Sequence, residues 1–101
     1  MGRIVRRPAA RADLEAIWSY IAADDPERAT AFLRALERRT LVLAENPRLG
    51  PARFPNFPGL RCFSAEGYLI IYRPLPEETG IELVRLIHGA RDLEALLSEM
   101  D

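Results

Sequence analysis

Apolar side chains at Ala10, Leu14, Ile17, Trp18 and Ile21 recur at the i, i+3, i+4, i+7 spacing of a helix with one buried face. This predicts a helix from Ala9 to about Ala23, with Trp18 placed in the core stripe. Asp24-Asp25-Pro26 ends it and opens a second helix: Asp25 suits an N-cap, Pro26 the first turn, and Glu27 the positive end of the helix dipole. That helix runs to about Glu45 on a stripe of Ala29, Phe32, Leu33, Leu36, Thr40 and Leu43, and Asn46-Pro47 stops it. The link between the two is so short that an antiparallel helical hairpin is forced. Leu41 and Val42 lie beside the stripe and widen its apolar face.

The remaining pattern is that of strands. Residues 3–7 form a short strand ended by Pro8. Residues 47–59 hold four prolines, two glycines and two phenylalanines, which predicts a stiff loop pinned by Phe54 and Phe57. Leu60–Ala65 and Tyr68–Arg73 flank Glu66-Gly67. A two-residue turn there sets Ala65 against Tyr68, Phe63 against Ile70 and Arg61 against Tyr72. Arg61, Phe63, Tyr68, Ile70 and Tyr72 then share one face. Leu60, Cys62, Ser64, Leu69, Ile71 and Arg73 share the other. The Tyr68 strand is apolar on both faces and belongs inside the sheet. After a polar turn at residues 74–80, Ile81–Ile87 is a further strand, and Asp92 can cap a short helix over about Leu93–Glu99. Neither the hairpin nor the sheet can bury its apolar face alone. Packing one on the other gives a two-layer α+β domain, β-α-α-β-β-β with a short C-terminal helix, spanning residues 1–101.

Composition changes this picture little. The net charge of −1 provides no field that would draw the chain to DNA or a membrane. All 14 cations are arginine, so chemistry that needs a lysine amine is excluded. A single cysteine, Cys62, rules out an internal disulfide and fits a reducing cytoplasm. Inside a strand with apolar neighbours, it reads as a small buried side chain. The basic start lacks the apolar stretch of a signal peptide, and no run is long enough to span a membrane. No phosphate loop, Ser-His-Asp set or Cys/His metal spacing occurs, so no metal or cofactor is expected.

The candidate chemistry is sparse. His88, the only histidine, stands at a strand end, where it could move a proton or bond loop backbone; the second role is favoured. Arg61, Arg73, Arg85 and Arg91 gather in the sheet region and could meet phosphate or the carboxylates of a partner. For Arg61, packing over Tyr72 is an equal alternative; for Arg91, a local carboxylate pair is favoured. Tyr20, beside the α-stripe, is a candidate surface anchor, as Trp18 would be if exposed. Leu41 and Val42 offer apolar surface that an amphipathic partner helix could cover.

Several phrases, in order along the chain, carry a resemblance. They are Ala12-Asp13-Leu14-Glu15-Ala16-Ile17-Trp18-Ser19-Tyr20-Ile21, Asn46-Pro47-Arg48-Leu49-Gly50, Pro58-Gly59-Leu60-Arg61, Gly67-Tyr68-Leu69-Ile70-Ile71-Tyr72-Arg73 and Val84-Arg85-Leu86-Ile87-His88-Gly89-Ala90-Arg91-Asp92-Leu93. The set resembles ParE toxins of the RelE/ParE superfamily. The resemblance implies a bacterial type II toxin that acts on DNA gyrase without catalysis of its own and is neutralised by a ParD-like antitoxin. The alternative is a RelE-like ribosome-dependent mRNA endonuclease, for which Arg61, Arg85, His88 and Glu66 would be the available groups. The lysines of many such nucleases are absent, and no tyrosine follows Tyr72, which favours the protein-binding toxin.

Overall fold

The computed structural model describes residues 2–88. The elements are β1 (Arg3–Arg6), α1 (Pro8–Ala22), α2 (Pro26–Glu45), β2 (Arg61–Ala65), β3 (Tyr68–Pro74), a one-turn 3-10 helix (Pro76–Glu78) and β4 (Gly80–His88). The strands form one mixed sheet in the order β1-β4-β3-β2, with β1 parallel to β4 and the other pairs antiparallel. The helical hairpin covers one face. The helix expected after Asp92 lies outside the described residues.

Local signals account for most boundaries. Pro8 is the first residue of α1 rather than a mere stop to β1; its missing N–H removes a donor the first turn could not have paired. The Asp25 carboxylate accepts the Arg28 backbone N–H at 3.1 Å, capping α2. Glu66 and Gly67 both take positive φ (54° and 80°), as the tight turn between β2 and β3 requires. That turn sets the expected register: Ala65 pairs with Tyr68, Phe63 with Ile70 and Arg61 with Tyr72. At Gly80 the reason is close approach, because a Cβ there would strike the Arg3 backbone where β1 joins the sheet.

The two sheet faces build two cores. Ile70, Tyr72, Ile81, Leu83 and Leu86 pack with Leu36 and Leu43 of α2 and Ala10 and Ile17 of α1. On the other face Ile71, Val84, Ile87, Leu60 and Cys62 pack with Phe54, with Phe57 against the edge. β3 is interior and apolar on both sides, as its sequence requires. Trp18 corrects the sequence reading: it is 40 % exposed. The hairpin leaves the ring at the seam between the helices, its Nε1–H donating to Thr30 Oγ1 at 3.3 Å. Ile17, one position earlier, takes the core place.

The proline-rich loop is held by one buried phenol. Tyr72 Oη accepts the Gly50 N–H and donates to the Pro47 carbonyl, both at 2.8 Å. Beside it, Arg61 Nη1 donates to the Gly50 and Arg48 carbonyls at 2.7 and 3.2 Å. The Cys62 N–H reaches the Pro51 carbonyl at 3.1 Å. A Cβ on Gly50 would run into the Tyr72 ring, so glycine is required here. Burial raises the Tyr72 phenol and the Cys62 thiol above their ordinary values.

Tyr72→Phe leaves a buried donor and a buried acceptor unmatched and should destabilise the fold by about 2 kcal/mol, read as a lower urea midpoint at unchanged slope. Both raised groups stay protonated in the folded chain and ionise first in the unfolded one. The unfolded state then binds fewer protons, so stability should fall as pH climbs past the ordinary values of 9.0 and 10.0. Urea midpoints at pH 8 and 10 check the sign, and Tyr72→Phe should show the shallower decline.

Candidate functional site

β1 pairs only with the Gly80–Leu83 part of β4, and β4 continues to His88. The register between β3 and β4 shifts at Ile71/Tyr72: Ile71 pairs with Arg85 and Tyr72 with Leu83, which leaves Val84 as an extra residue. This is a bulge, and it re-aims the side chains that follow. Past it, the edge of β4 is served by a side chain of α1. The Asp13 carboxylate accepts Arg85 Nε at 2.7 Å, Arg85 Nη2 at 3.0 Å and the Leu86 N–H at 2.9 Å. The Asp13 hydrogen bond is the main cause that raises the Arg85 pKa, against the opposing effect of burial.

Between α1 and this edge lies a cleft of about 180 Å³, lined by Asp13, Ala16, Ile17, Tyr68, Arg85 and His88. The His88 and Tyr68 rings are 4.9 Å apart, and Phe32 meets Tyr68 edge-on at 5.9 Å. Burial, with a smaller effect from nearby Tyr20, pushes the Tyr68 phenol up. Tyr20 itself is 83 % exposed.

The groups available for nuclease chemistry do not all converge: Arg85 and His88 line the same cleft, and Arg61 lies elsewhere. Arg61 bonds the loop carbonyls and Arg85 is paired to Asp13. Arg61 sits opposite Tyr72 and His88 opposite Tyr68, four residues apart along β3, or about 13 Å. Glu66 shares the His88 end but stands exposed in the turn. Among the described residues no group of three His, Cys, Asp or Glu side chains could hold a metal ion.

What the surface offers is apolar. Trp18, Tyr20, Leu41 and Val42 are exposed on the hairpin. Trp18 lines two shallow depressions of about 350 and 360 Å³, one shared with Leu14, Glu15, Ser19 and Leu33, the other with Pro26, Glu27, Thr30, Ala31 and Arg34. Val5 and Leu49 are also exposed, and nothing in their sequence context marks them. Arg73 has a buried Nε with no hydrogen-bond partner. Arg91 lies outside the described residues. Sequence reasoning missed Asp13, whose off-stripe position on α1 reads as solvent-facing.

The family model described as the ParE toxin of the type II toxin–antitoxin system parDE matches residues 4–93. The chain belongs to the ParE toxin family. It is 36 % identical over 93 residues to Toxin ParE1 of Mycobacterium tuberculosis, covering 91 % of this chain and 94 % of that one. It is 30 % identical over 100 residues to Toxin ParE3 of Caulobacter vibrioides, covering 98 % of each. The fold is similar to that of a solved structure described as a chromosomal ParDE system from P. aeruginosa, with a TM-score of 0.71, 22 % identity, and coverage of 89 % of this chain and 98 % of that one. It is also similar to the isolated E. coli RelE toxin, with a TM-score of 0.57, 12 % identity, and coverage of 99 % and 98 %. These ParDE and RelE structures thus share the architecture of this chain.

Asp13→Ala should cost about 2 kcal/mol, because it strands the Arg85 charge and the Leu86 N–H; partial solvent access at both side chains keeps the loss below that of a fully buried pair. Arg85→Ala and Arg61→Ala should lower any cellular activity only in step with their loss of stability. Thermal midpoints measured beside growth assays at two temperatures check this.

Proposed function

We propose that this chain is a protein-binding toxin of the bacterial cytoplasm that acts on DNA gyrase, and that a ParD-like antitoxin silences it by covering the helical hairpin and engaging sheet arginines. One observation carries the reading. Arg61 and Arg85, the cations a nuclease would need beside His88, are both bound within the fold, and Arg61 stands at the other end of β3, while large apolar side chains stand out from α1 and α2. Such surface suits a partner that brings an amphipathic helix, and exposed aromatics are frequent anchors of protein interfaces.

Purified chain added in excess to gyrase should inhibit supercoiling or accumulate cleaved DNA held on the enzyme. Unchanged supercoiling with no trapped cleavage would overturn the gyrase assignment. The alternative, a ribosome-dependent mRNA endonuclease, draws its support from the exposed His88 beside the Tyr68 cleft. His88→Ala should remain fully toxic on the reading proposed here; loss of toxicity with a folded chain, together with new mRNA ends on translating ribosomes, would favour the nuclease.

For the antitoxin, Trp18→Ala should weaken binding by about 2 kcal/mol, roughly thirtyfold, in calorimetry. Rising salt should weaken the complex only in part, since the apolar contribution is unscreened.

A further inference from the structure

β1 is an outer strand of the sheet, with a neighbouring strand on one side only. The N–H groups of Arg3 and Arg7 turn inward and bond the Thr79 and Leu83 carbonyls at 2.9 and 3.1 Å. Backbone direction alternates along a strand, so Ile4 and Arg6 turn their N–H and C=O groups outward. Gly2 shares that direction, and its N–H is taken by Glu45 Oε1 at 3.0 Å. Among the described residues no group bonds the outward backbone of Ile4 and Arg6. We propose that this edge receives an extended segment of a protein partner as a fifth strand, with an apolar residue against Val5 and a carboxylate two places to either side of it. The site is made of main chain, unlike the apolar side chains that stand out from α1 and α2.

An open edge is a template for strand pairing, because its main-chain groups have only water as a partner. Strand addition supplies the missing donors and acceptors at alternate residues and leaves selectivity to the side chains between them. Ile4 packs into the core under the hairpin, so Arg3, Val5 and Arg7 project from the opposite face. Val5 is 37 % exposed there, and Arg7 shares its charge with Glu82. Among the described residues neither Arg3 nor Arg6 takes part in a salt bridge. Residues directly opposite across a strand pair interact, so an apolar pair at Val5 flanked by opposite charges favours the stated segment.

A second copy of this chain is the rival occupant, and the same side chains disfavour it. A symmetric dimer pairs the two edges antiparallel. Setting Ile4 of each copy against Arg6 of the other puts Arg3 of each opposite Arg7 of the other, two like-charge pairs on one face. Moving the register one way brings in Pro8, which has no N–H to give. Moving it the other way brings in Gly2, whose N–H is held by Glu45 and which backs onto the Ala44 carbonyl.

Backbone amide exchange in the full-length chain, read by NMR, tests the proposal. The probe is a capped heptapeptide with valine at its centre, glutamate two places to either side and threonine elsewhere. One control carries glutamine for glutamate; the other is N-methylated at the two threonines beside the valine, which would face β1. At saturation the glutamate peptide should slow exchange at Ile4 and Arg6 at least about tenfold, while Arg3 and Arg7, already bonded within the sheet, keep their rates. Arg6→Pro removes an outward donor at a position where an edge strand accepts proline. With an unchanged thermal midpoint it should lose the peptide, whereas Arg6→Gln, which keeps the N–H, should retain it. The proposal falls if neither amide is slowed, if either control peptide slows them as much, or if Arg6→Pro binds as Arg6→Gln does. It falls equally if the chain alone is a dimer with both amides already slow, which would make a second copy the occupant. Should Arg6→Pro not fold, the peptide titrations of the parent chain decide alone. No gyrase or antitoxin enters the assay, so its failure and that of the gyrase assignment can be told apart.

Discussion

A single carboxylate joins the two layers where the sheet runs out of strand. β1 gives way to α1 at Pro8, so the outer edge of β4 beyond Leu83 has no neighbouring strand. Asp13 fills the gap with three hydrogen bonds, two from Arg85 and one from the Leu86 backbone. Opposite charges share a half-buried site there, and a backbone donor is satisfied that would otherwise face the cleft. The bulge at Val84 is part of the same arrangement, since it brings Arg85 and Leu86 to the carboxylate.

That interaction also constrains function. An arginine bound in two-point geometry to an aspartate is a poor candidate for stabilising a phosphoryl transition state, because its charge is already matched. The Tyr72–Arg61 clasp has the same consequence at the other end of the sheet, where it ties the proline-rich loop to β2 and β3. On a fold shared with RelE toxins, this chain therefore uses Arg61 and Arg85 as structural cross-links. What remains outward is a hairpin with Trp18, Tyr20, Leu41 and Val42 exposed.

The fold was largely legible in the chain because its signals are local. The Asp25-Pro26 cap, the Glu66-Gly67 turn and the two-sided apolar run of β3 each depend on a few neighbouring residues. They set helix length, hairpin register and strand position. The site was less legible. Trp18 reads as core because periodicity places it within one helical turn of Ile17, yet a stripe does not say where the second helix leaves an opening. Asp13 reads as solvent-facing because its partners are 72 and 73 residues away.

The sequence by itself determined the elements, their order, the β2–β3 register and, through an ordered set of phrases, the family. Tertiary structure alone decided the parallel pairing of β1 with β4, the sheet face covered by the hairpin, and the use of each arginine. The physical reason is range. Capping, turn geometry and amphipathic spacing act over a few residues of chain, whereas the neutralisation of a charge depends on which groups the packed layers bring within hydrogen-bond distance.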